Sequence, residues 1–467
     1  MVKLDSVSQL REEQTAVLVR AEYPYGKSQT WLPMDLHKVA AQLDAVGIRA
    51  DVVDLNFESL PSNLGRYDFI GIGVIGAPYI PTTRRIAQQV KEMTGKRPLI
   101  GGPCIGYLSP EEFRVLYGDA TQIKNTQDLS VAVGREIPSV YDTSVNGRIR
   151  GMEPSKRERY LRSEMSFFVS QGCKFACDFC AAERSRPGSP IKEQFSRVIS
   201  DDLDALCESA VSSNVPTLAF YLTSLDLFQN PAPFKGVLET FTQAKQKYGV
   251  DFRLRGLSRA DSFLQSLREE PDLYSIIPSA GLRIIGFGVD GTSERVWRSQ
   301  HKGIKSLSDA DTSFEISRSL DVTPEALMVM GFHDSHGKPV DTSESLRTNF
   351  DYAVSCAEKK GVVARPHVAK DMVPGNNGWN NPVWAEQRAR LFANPTLFRN
   401  LDFVALASEV THPDAVFREQ VNAAYTDIIR TLTPQGLCAT SPLLPYSGDP
   451  EKDRVAETVN MLIPFDR

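Results

Sequence analysis

The stretch Cys173-Lys-Phe-Ala-Cys177-Asp-Phe-Cys180 places three cysteines in eight residues, directly after the apolar run 167–169. Three thiolates at spacings of four and three residues can hold three corners of an iron–sulfur cube and leave the fourth iron open. Iron–sulfur clusters are ordinarily held by four thiolates. Because an open iron can bind a substrate or cosubstrate, the stretch indicates catalysis more than electron storage.

The three cysteines allow two other interpretations, a disulfide and a structural zinc site. A disulfide is disfavoured because the chain has no visible secretory signal, and thiols stay reduced in the cytosol. A structural zinc needs a fourth ligand, and the sequence has no second Cys or His pair at zinc-finger spacing. Elsewhere the chain has well-separated cysteines that we expect to be single buried thiols: Cys104, Cys207, Cys356 and Cys438.

Length and charge limit the class of protein. A chain of 467 residues is expected to form two or three domains. Its net charge of −5 and the lack of a basic tract argue against nucleic acid as a partner. No apolar run is long enough to span a bilayer, and the opening Met-Val-Lys-Leu-Asp-Ser has no signal-peptide core. We therefore expect a cytoplasmic protein without a membrane partner.

The N-terminal third alternates apolar strands with helical patterns, which predicts a parallel, doubly wound sheet. The predicted strands are 15–19, 48–55, 68–75 and 98–102, and the predicted helices are 33–46 and 81–93. Such sheets bind ligands at the carboxyl ends of their strands. Those ends carry Gly76-Ala-Pro and Gly101-Gly-Pro, which predicts close approach of a bulky ligand to the backbone. From 119 to 165 the pattern weakens and becomes rich in charge, Ser and Gly, and Lys156-Arg-Glu-Arg159 is interpreted as a solvated stretch of linker.

Six apolar strands in the centre of the chain predict a parallel barrel that is not fully closed. They lie at 167–169, 217–222, 251–254, 282–289, 326–330 and 362–368. The site is expected at the carboxyl ends of these strands, where loops are free to carry chemistry. Beyond residue 376 the pattern indicates amphipathic helices at 382–392 and 413–431, and a segment that covers the barrel mouth.

The central region resembles the radical S-adenosylmethionine (SAM) superfamily. The resemblance rests on Cys173, Cys177 and Cys180 after the first barrel strand, with the aromatic Phe179 before the last cysteine. It implies that the three cysteines hold a [4Fe-4S] cluster and that SAM binds the open iron. It further implies cleavage of SAM to a 5′-deoxyadenosyl radical that abstracts a hydrogen atom from the substrate.

Later strand ends resemble the SAM-binding segments of the same superfamily. The usual Gly-Gly-Glu triplet after the second strand is replaced by Thr223-Ser-Leu-Asp226, and an Asp stands for Glu in Gly286-Phe-Gly-Val-Asp290. The resemblance implies cofactor contacts by Phe179, Thr223, Ser224, Asp226, Arg259, Asp290, Met330, Gly331 and Pro374.

General acid–base roles are predicted for Asp226, Glu183 and His333, which lie in or near the predicted strand-end loops. For His333 and His336 three alternatives stay open: a substrate contact, a metal ligand, or a polar rim. Trp379, Asp402 and Glu409 are candidates for substrate contact by position alone, with simple packing as the favoured alternative.

The N-terminal sheet is similar to the cobalamin-binding domain that precedes the barrel in one radical SAM subgroup. The Asp-x-His-x-x-Gly signature for a lower cobalt ligand is missing, since the loop reads Tyr23-Pro-Tyr-Gly-Lys-Ser28. A bound corrinoid and a scaffold without one both remain open. The predicted α/β architecture has a Rossmann-like domain at 1–150, a partial (β/α)6 barrel at 151–375 and a mainly helical cap at 376–467.

The resemblance implies an enzyme that acts on a polar small molecule. Similarity to radical dehydratases of aminoglycoside pathways favours dehydration of an amino sugar in antibiotic biosynthesis. Cobalamin-dependent C-methylation is the alternative reaction, and a degenerate barrel used as a scaffold is the non-enzymatic alternative. Expected partners are the small-molecule substrate, an electron donor such as flavodoxin or ferredoxin, and a pathway reductase.

Overall fold

The computed structural model describes residues 14–25, 32–181, 191–302 and 306–462. Within these ranges, no helix combines the length and the apolar character needed to cross a membrane.

The N-terminal part forms a parallel sheet in the order β2-β1-β3-β4-β5. Its strands are β1 (Gln14–Arg20), β2 (Ile48–Asp54), β3 (Phe69–Gly73), β4 (Leu99–Gly101) and β5 (Thr121–Ile123). The helices of this part are α1 (Met34–Ala45), α2 (Ile80–Thr94), α3 (Pro110–Tyr117) and α4 (Thr126–Val133). The central strand β1 is buried from Ala16 to Arg20, as expected for a parallel strand with helices on both faces. The predicted doubly wound sheet is confirmed.

The predicted solvated linker at 156–159 is wrong, since the whole stretch 119–165 around it is folded. This stretch contains β5, α4 and two further helices, α5 (Asn146–Gly151) and α6 (Pro154–Leu161). Lys156 lies in α6, where its Nζ donates to the carbonyl of Val52 at 2.9 Å and to Glu58 Oε2 at 2.7 Å. The charges that suggested a linker therefore attach α6 to the free edge of β2.

The second sheet is parallel, with the order β13-β12-β11-β10-β9-β6. Its strands are β6 (Glu164–Phe168), β9 (Thr217–Thr223), β10 (Asp251–Ser258), β11 (Leu282–Gly288), β12 (Thr323–Met330) and β13 (Val363–Val368), while the short β7 (Ser170–Gln171) and β8 (Lys192–Glu193) pair beside it. The intervening helices are α7 (Ser196–Ser212), α8 (Pro231–Tyr248), α9 (Ala260–Glu269), α10 (Leu273–Ala280), α11 (Glu294–Ser299), α12 (Leu307–Ser319) and α13 (Ser343–Lys360). This arrangement confirms the predicted partial barrel.

The C-terminal segment packs on both sheets. It contains α14 (Ala385–Ala393), the 3₁₀ helix Pro395–Leu401, α15 (Ala415–Leu432) and α16 (Pro450–Leu462). Along the outer edge of β13, Ala364 pairs with Cys438 and the Val368 amide donates to the Phe403 carbonyl. This segment thus satisfies edge groups of β13 that an open sheet would expose. The domain limits 1–150, 151–375 and 376–467 remain a prediction.

His37 ties the stability of the fold to pH. It is buried in α1, and Arg148 Nε donates to its Nδ1 at 3.5 Å. Burial, together with Arg148 and Lys156, lowers the pKa of His37 from 6.5 to about 3. Because the unfolded chain then binds the proton more readily, stability is complete above about pH 6.5 and falls as the pH drops toward 3.

We expect His37→Gln to remove the part of this acid sensitivity that comes from the one proton bound more readily by the unfolded chain. Between pH 6 and 4 the wild-type free energy of unfolding should fall by about 1.4 kcal/mol per pH unit more than that of the variant. Urea unfolding at a series of pH values measures the free energy of unfolding of both proteins, and the difference between them at pH 8 is the baseline. Parallel curves from pH 8 to 4 would contradict this assignment.

Candidate active site

The three cysteines of the predicted cluster site lie in one loop, residues 172–181, which we call the cluster loop. It follows β7 at the carboxyl end of the second sheet and begins at Gly172, whose φ is +92°. The buried side chain of Gln229 holds this end: its Nε2 donates to the Gly172 carbonyl at 3.1 Å and its Oε1 accepts from the Lys174 amide at 3.2 Å. The loop after β9 therefore fixes the start of the cluster loop.

Asp178 fixes the other half of the cluster loop. Its Oδ1 accepts from Asn377 Nδ2 at 2.6 Å, and its Oδ2 contacts His301 Nδ1 at 2.8 Å. Its amide donates to the Gln300 carbonyl at 3.0 Å. The loops that follow β11 and β13 thus hold the segment between Cys177 and Cys180.

The three thiols are half-buried and lie close enough to interact electrostatically. Burial, together with the nearby Asp226, Cys180 and Cys177, raises the pKa of Cys173 to about 11. All seven cysteines are free, which removes the disulfide alternative for this structure. Within the described ranges, no three Cys, His, Asp or Glu side chains converge on the position of a single metal ion. Three mutually interacting thiols in one anchored loop fit the corners of a larger cluster.

Aromatic rings pack against the cluster loop on two sides. Phe179 makes an edge-to-face contact with Phe332 at a centroid distance of 5.3 Å. The guanidinium of Arg259 lies over the ring of Phe175 at 3.8 Å. These contacts pack the two aromatic rings of the cluster loop against Phe332 and Arg259, which follow β12 and β10.

Asp226 is buried beside the cluster loop with one oxygen free to accept a ligand. Its Oδ1 accepts from Ser258 Oγ at 3.0 Å and from the Phe228 amide at 3.2 Å. Its Oδ2 is buried and accepts no hydrogen bond of good geometry from the described residues, and the hydroxyl of the nearby Ser262 is likewise buried and unpartnered. Burial raises the pKa of Asp226 above its usual range. An ammonium donor at Oδ2 would relieve this cost.

Arg259 presents a second buried group without a partner. It follows β10, and its Nε and Nη2 donate to Asp261 at 2.9 and 2.8 Å. Its Nη1 is buried and bonded to no described residue. The bidentate pair fixes the guanidinium plane and leaves Nη1 available to a carboxylate. SAM carries both an ammonium and a carboxylate, so Asp226 Oδ2 and Arg259 Nη1 fit its methionine group.

Both the backbone amide and the carboxylate of Asp290 have partners within the chain. It follows β11 with a φ of +50°, and its amide donates to the Leu327 carbonyl at 3.0 Å. Its carboxylate pairs with the buried ammonium of Lys302, whose Nζ also donates to the Gly288 carbonyl at 2.7 Å. Burial, together with Arg259, lowers the pKa of Lys302 to about 7, although the nearby Cys177, Asp261 and Cys180 act in the opposite direction. A contact between Asp290 and SAM stays a prediction. In the structure the Asp290 carboxylate pairs with Lys302.

Met330 and Gly331 end β12 as predicted, with Met330 fully buried. Gly331 has a φ of +88°, and a Cβ there would lie 2.9 Å from His412 Nε2. The Asp341 carboxylate accepts from the Gly331 amide at 2.8 Å, and His412 Nε2 donates to the Gly331 carbonyl at 2.9 Å. The C-terminal segment thus sets the shape of this strand end.

His333 forms a buried pair with Asp371. Its Nδ1 lies 2.8 Å from Asp371 Oδ2, and its Nε2 has no hydrogen-bond partner among the described residues. Its ring contacts Trp384, His412 and Phe417 at centroid distances of 5.1, 5.0 and 5.2 Å. His333 is therefore enclosed by the C-terminal segment. The exposed His336 is not part of this pair.

The remaining predicted residues have separate environments. Ser224 is buried and accepts from Ser170 Oγ at 2.8 Å, whereas Thr223 is half-buried at the end of β9. Pro374 is buried in the loop after β13, and Glu183 lies outside the described residues. Trp379 is fully buried against Phe392 and Phe398, so it packs, and Glu409 is an exposed partner of Arg390.

Charged side chains line the face of the second sheet that is turned away from the helices. Arg255 on β10 is paired with Glu164 on β6, with Nη2 donating to Oε2 at 2.6 Å. Arg365 on β13 donates through Nε to Glu325 on β12 at 2.5 Å. The Arg255 guanidinium also lies 5.1 Å from the centre of the Tyr221 ring. Since Arg255 and Glu164 remain partly accessible, the inside of the barrel is polar below the cluster loop.

The carboxyl edge of the N-terminal sheet has an open strip and a covered part. Ile75 and Tyr107 are exposed, as are Gly102 and Pro103 between them. Gly102 has a φ of +134°, and a Cβ there would meet the Val74 carbonyl at 2.1 Å, so glycine is required by the chain's own backbone. The exposed residues of this strip are mostly apolar.

The covered part of the edge lies under the C-terminal segment. Tyr25 donates its hydroxyl hydrogen to the Arg399 carbonyl, and Phe398 joins the apolar cluster that contains Ala77 and Ile80. Sequence reasoning missed these contacts, together with Gln229, Asp341 and His412. Each joins residues far apart in the chain, and no local spacing marks them.

Two comparisons by sequence found no relative: no protein-family model matches the chain, and no curated protein does. Solved structures do match its fold. The radical SAM methyltransferase TsrM from Kitasatospora setae, with cobalamin and a [4Fe-4S] cluster bound, matches with a TM-score of 0.58 and 14% identity over 78% of this chain and 76% of that one. The cobalamin-dependent SAM radical enzyme OxsB, with aqua-cobalamin and SAM bound, matches with a TM-score of 0.56 and 14% identity over 83% of this chain. That match spans 56% of OxsB.

The chain has the fold of cobalamin-dependent radical SAM enzymes. In this fold the cluster loop, Asp226 and Arg259 all lie at the carboxyl ends of the barrel strands. The predicted fold class is confirmed, including the Rossmann-like sheet in front of the partial barrel.

Proposed function

We propose that the chain is a radical SAM enzyme that acts on a polar small molecule. The observation that carries this proposal is the anchored cluster loop, whose three interacting thiols lie beside Asp226 and Arg259. Cys173, Cys177 and Cys180 would hold a [4Fe-4S] cluster. The bound cluster and SAM would supply a carbon-centred radical able to take a hydrogen atom from an unactivated carbon.

In this proposal the chain's own residues bind and shield the methionine group of SAM. Asp226 Oδ2 accepts from its ammonium, and Arg259 Nη1 donates to its carboxylate. Phe179, Phe332 and Met330 form an apolar wall that excludes water, with Phe332 and Met330 fully buried. Exclusion of water protects a reactive radical from side reactions and strengthens each polar contact.

For the reaction, we propose dehydration of an amino sugar, of the kind found in aminoglycoside antibiotics. The support is the polar barrel interior, where the pairs Arg255–Glu164 and Arg365–Glu325 offer both donors and acceptors to hydroxyl and amino groups. Loss of water needs a proton donor, a role the sequence predicts for Asp226, Glu183 and His333, but Asp226 cannot fill it while its Oδ2 accepts from the SAM ammonium. His333 is enclosed by the C-terminal segment and stays a weaker candidate, and Glu183 stays a prediction.

Cobalamin-dependent C-methylation is the second candidate reaction. It is favoured by the exposed apolar strip around Ile75 and Tyr107, and by structural neighbours that bind cobalamin. In this alternative the corrinoid would lie against that strip. For either reaction we propose an electron donor such as flavodoxin or ferredoxin, and for dehydration a pathway reductase, in a cytoplasmic setting.

One anaerobic experiment tests the proposal. The purified protein, with its iron–sulfur cluster reconstituted, is incubated with SAM, dithionite and a set of aminoglycosides, with and without added cobalamin. We expect 5′-deoxyadenosine and a product lighter by one water. A product heavier by one methylene, formed with added cobalamin, would support methylation instead. Cluster-loaded protein that forms no 5′-deoxyadenosine under any of these conditions would refute the radical SAM assignment.

A further inference from the structure

A buried lysine lies near two cysteines of the cluster loop. Lys302 is 5% exposed, although it belongs to a loop near the protein surface. It interacts electrostatically with Cys177 and Cys180 of the cluster loop and with Arg259. A buried ammonium costs free energy unless it is paired, so its position beside two of the three thiols calls for a reason.

The chain builds a specific cradle for this ammonium. Lys302 Nζ pairs with the Asp290 carboxylate and donates to the Gly288 carbonyl at 2.7 Å. A Cβ on Gly288 would lie 3.0 Å from Nζ, so glycine makes room for the ammonium. Asp290 and His301, on either side of the cradle, have φ values of +50° and +48°. Two such residues in one site indicate backbone strain that the surrounding contacts maintain.

Lys302 and Asp290 have opposite effects on the charge near the thiols. The Lys302 ammonium favours negative charge on the cluster loop, and the Asp290 carboxylate disfavours it. Both side chains are nearly excluded from solvent, so water and salt screen these effects only weakly. The exposed Lys174, in the same loop and next to Cys173, is screened much more strongly.

We infer that Lys302, fixed by Asp290, is an electrostatic positioning residue that raises the reduction potential of the cluster held by Cys173, Cys177 and Cys180. The inference rests on the proposed function. Reduction adds one electron from a low-potential one-electron donor, and the cluster changes from the 2+ to the 1+ state with no proton transferred. A fixed ammonium stabilises the state with the additional negative charge, whereas Asp290 moderates that effect.

Opposite shifts in two variants test this assignment. In Lys302→Met the positive charge is lost with little change in shape, and we expect a more negative midpoint potential. In Asp290→Asn the negative charge is lost, and we expect a more positive one; Asn tolerates the positive φ of this position. Lys174→Met is the matched control, with a shift several times smaller than that of Lys302→Met. Redox titration followed by electron paramagnetic resonance measures the potentials, with iron and sulfide content determined for each variant.

The outcomes separate this inference from the proposed function. If wild-type protein holds no cluster, the proposed function fails first. If it holds a cluster and cleaves SAM, but Lys302→Met and Asp290→Asn keep the wild-type potential or shift in the same direction, the electrostatic role is refuted. If Lys302→Met takes up no cluster, the midpoint potential of Asp290→Asn tests the inference: a more positive potential supports the electrostatic role, and an unchanged or more negative one refutes it.

Discussion

Cys177→Ala is expected to abolish both the iron–sulfur cluster and the cleavage of SAM. Two thiolates remain after this change, and they hold too few corners of a cube to retain it through purification. The anchors of the cluster loop, Gln229 and Asp178, are untouched, so the fold should persist. The loss is measured by the iron and sulfide content, by the absorbance of the cluster's visible charge-transfer band, and by the formation of 5′-deoxyadenosine.

Cys438→Ala is the matched control for this loss. Cys438 is half-buried in the C-terminal segment, where its backbone pairs with Ala364 along the outer edge of β13. We expect this variant to keep the full cluster. A Cys177→Ala protein with wild-type iron content and 5′-deoxyadenosine formation would show that Cys177 is no ligand, and the proposed function would then need another cofactor site.

The cluster loop could be found from sequence because its signal is local. Three cysteines within eight residues, directly after an apolar strand, are close in space whatever the rest of the fold does. The sheets were also predictable, since buried parallel strands are apolar runs that alternate with helical patterns. Strand bounds were less exact: β10 extends to Ser258, whereas the apolar run ends at Leu254. Polar residues that face the barrel interior, such as Arg255, interrupt the run.

Residues 156–159 were misinterpreted as a linker because the helices of the surrounding stretch 119–165 are short and polar. The signals for helix starts were present, however. Asn125 caps α4 by accepting from the Asp128 amide, and Glu153 caps α6 just before Pro154. Capping residues followed by proline or an acidic residue mark helix N-termini even where hydrophobic periodicity is weak. High charge alone was therefore a poor argument for a linker.

Partner choice among the charged residues could not be predicted. Asp290 was assigned to SAM from a motif, yet its carboxylate pairs with Lys302, twelve positions later. The His333–Asp371 pair joins two strand-end loops, and His412 reaches Gly331 from the C-terminal segment. Such pairs depend on strand order and on how the C-terminal segment folds back, which no local spacing encodes.

Asp226→Asn is expected to weaken SAM binding while leaving the cluster intact. The amide keeps the size of the side chain and can still accept from Ser258 and the Phe228 amide through its remaining oxygen. Loss of the charged partner at Oδ2 removes a charge-assisted hydrogen bond to the SAM ammonium. Such bonds contribute about 1.5–3 kcal/mol, which corresponds to roughly 10- to 150-fold in the dissociation constant.

Asp202→Asn provides the matched control for this change. Asp202 is buried to a similar extent, but it lies in α7 and pairs with Lys38 at 2.7 Å. We expect this control to lose stability and to bind SAM as the wild type does. Calorimetry on the cluster-loaded proteins measures the affinities, and iron content confirms that the cluster is present. If Asp226→Asn binds SAM with wild-type affinity, Asp226 does not contact the ammonium, and its unpaired oxygen faces the substrate instead.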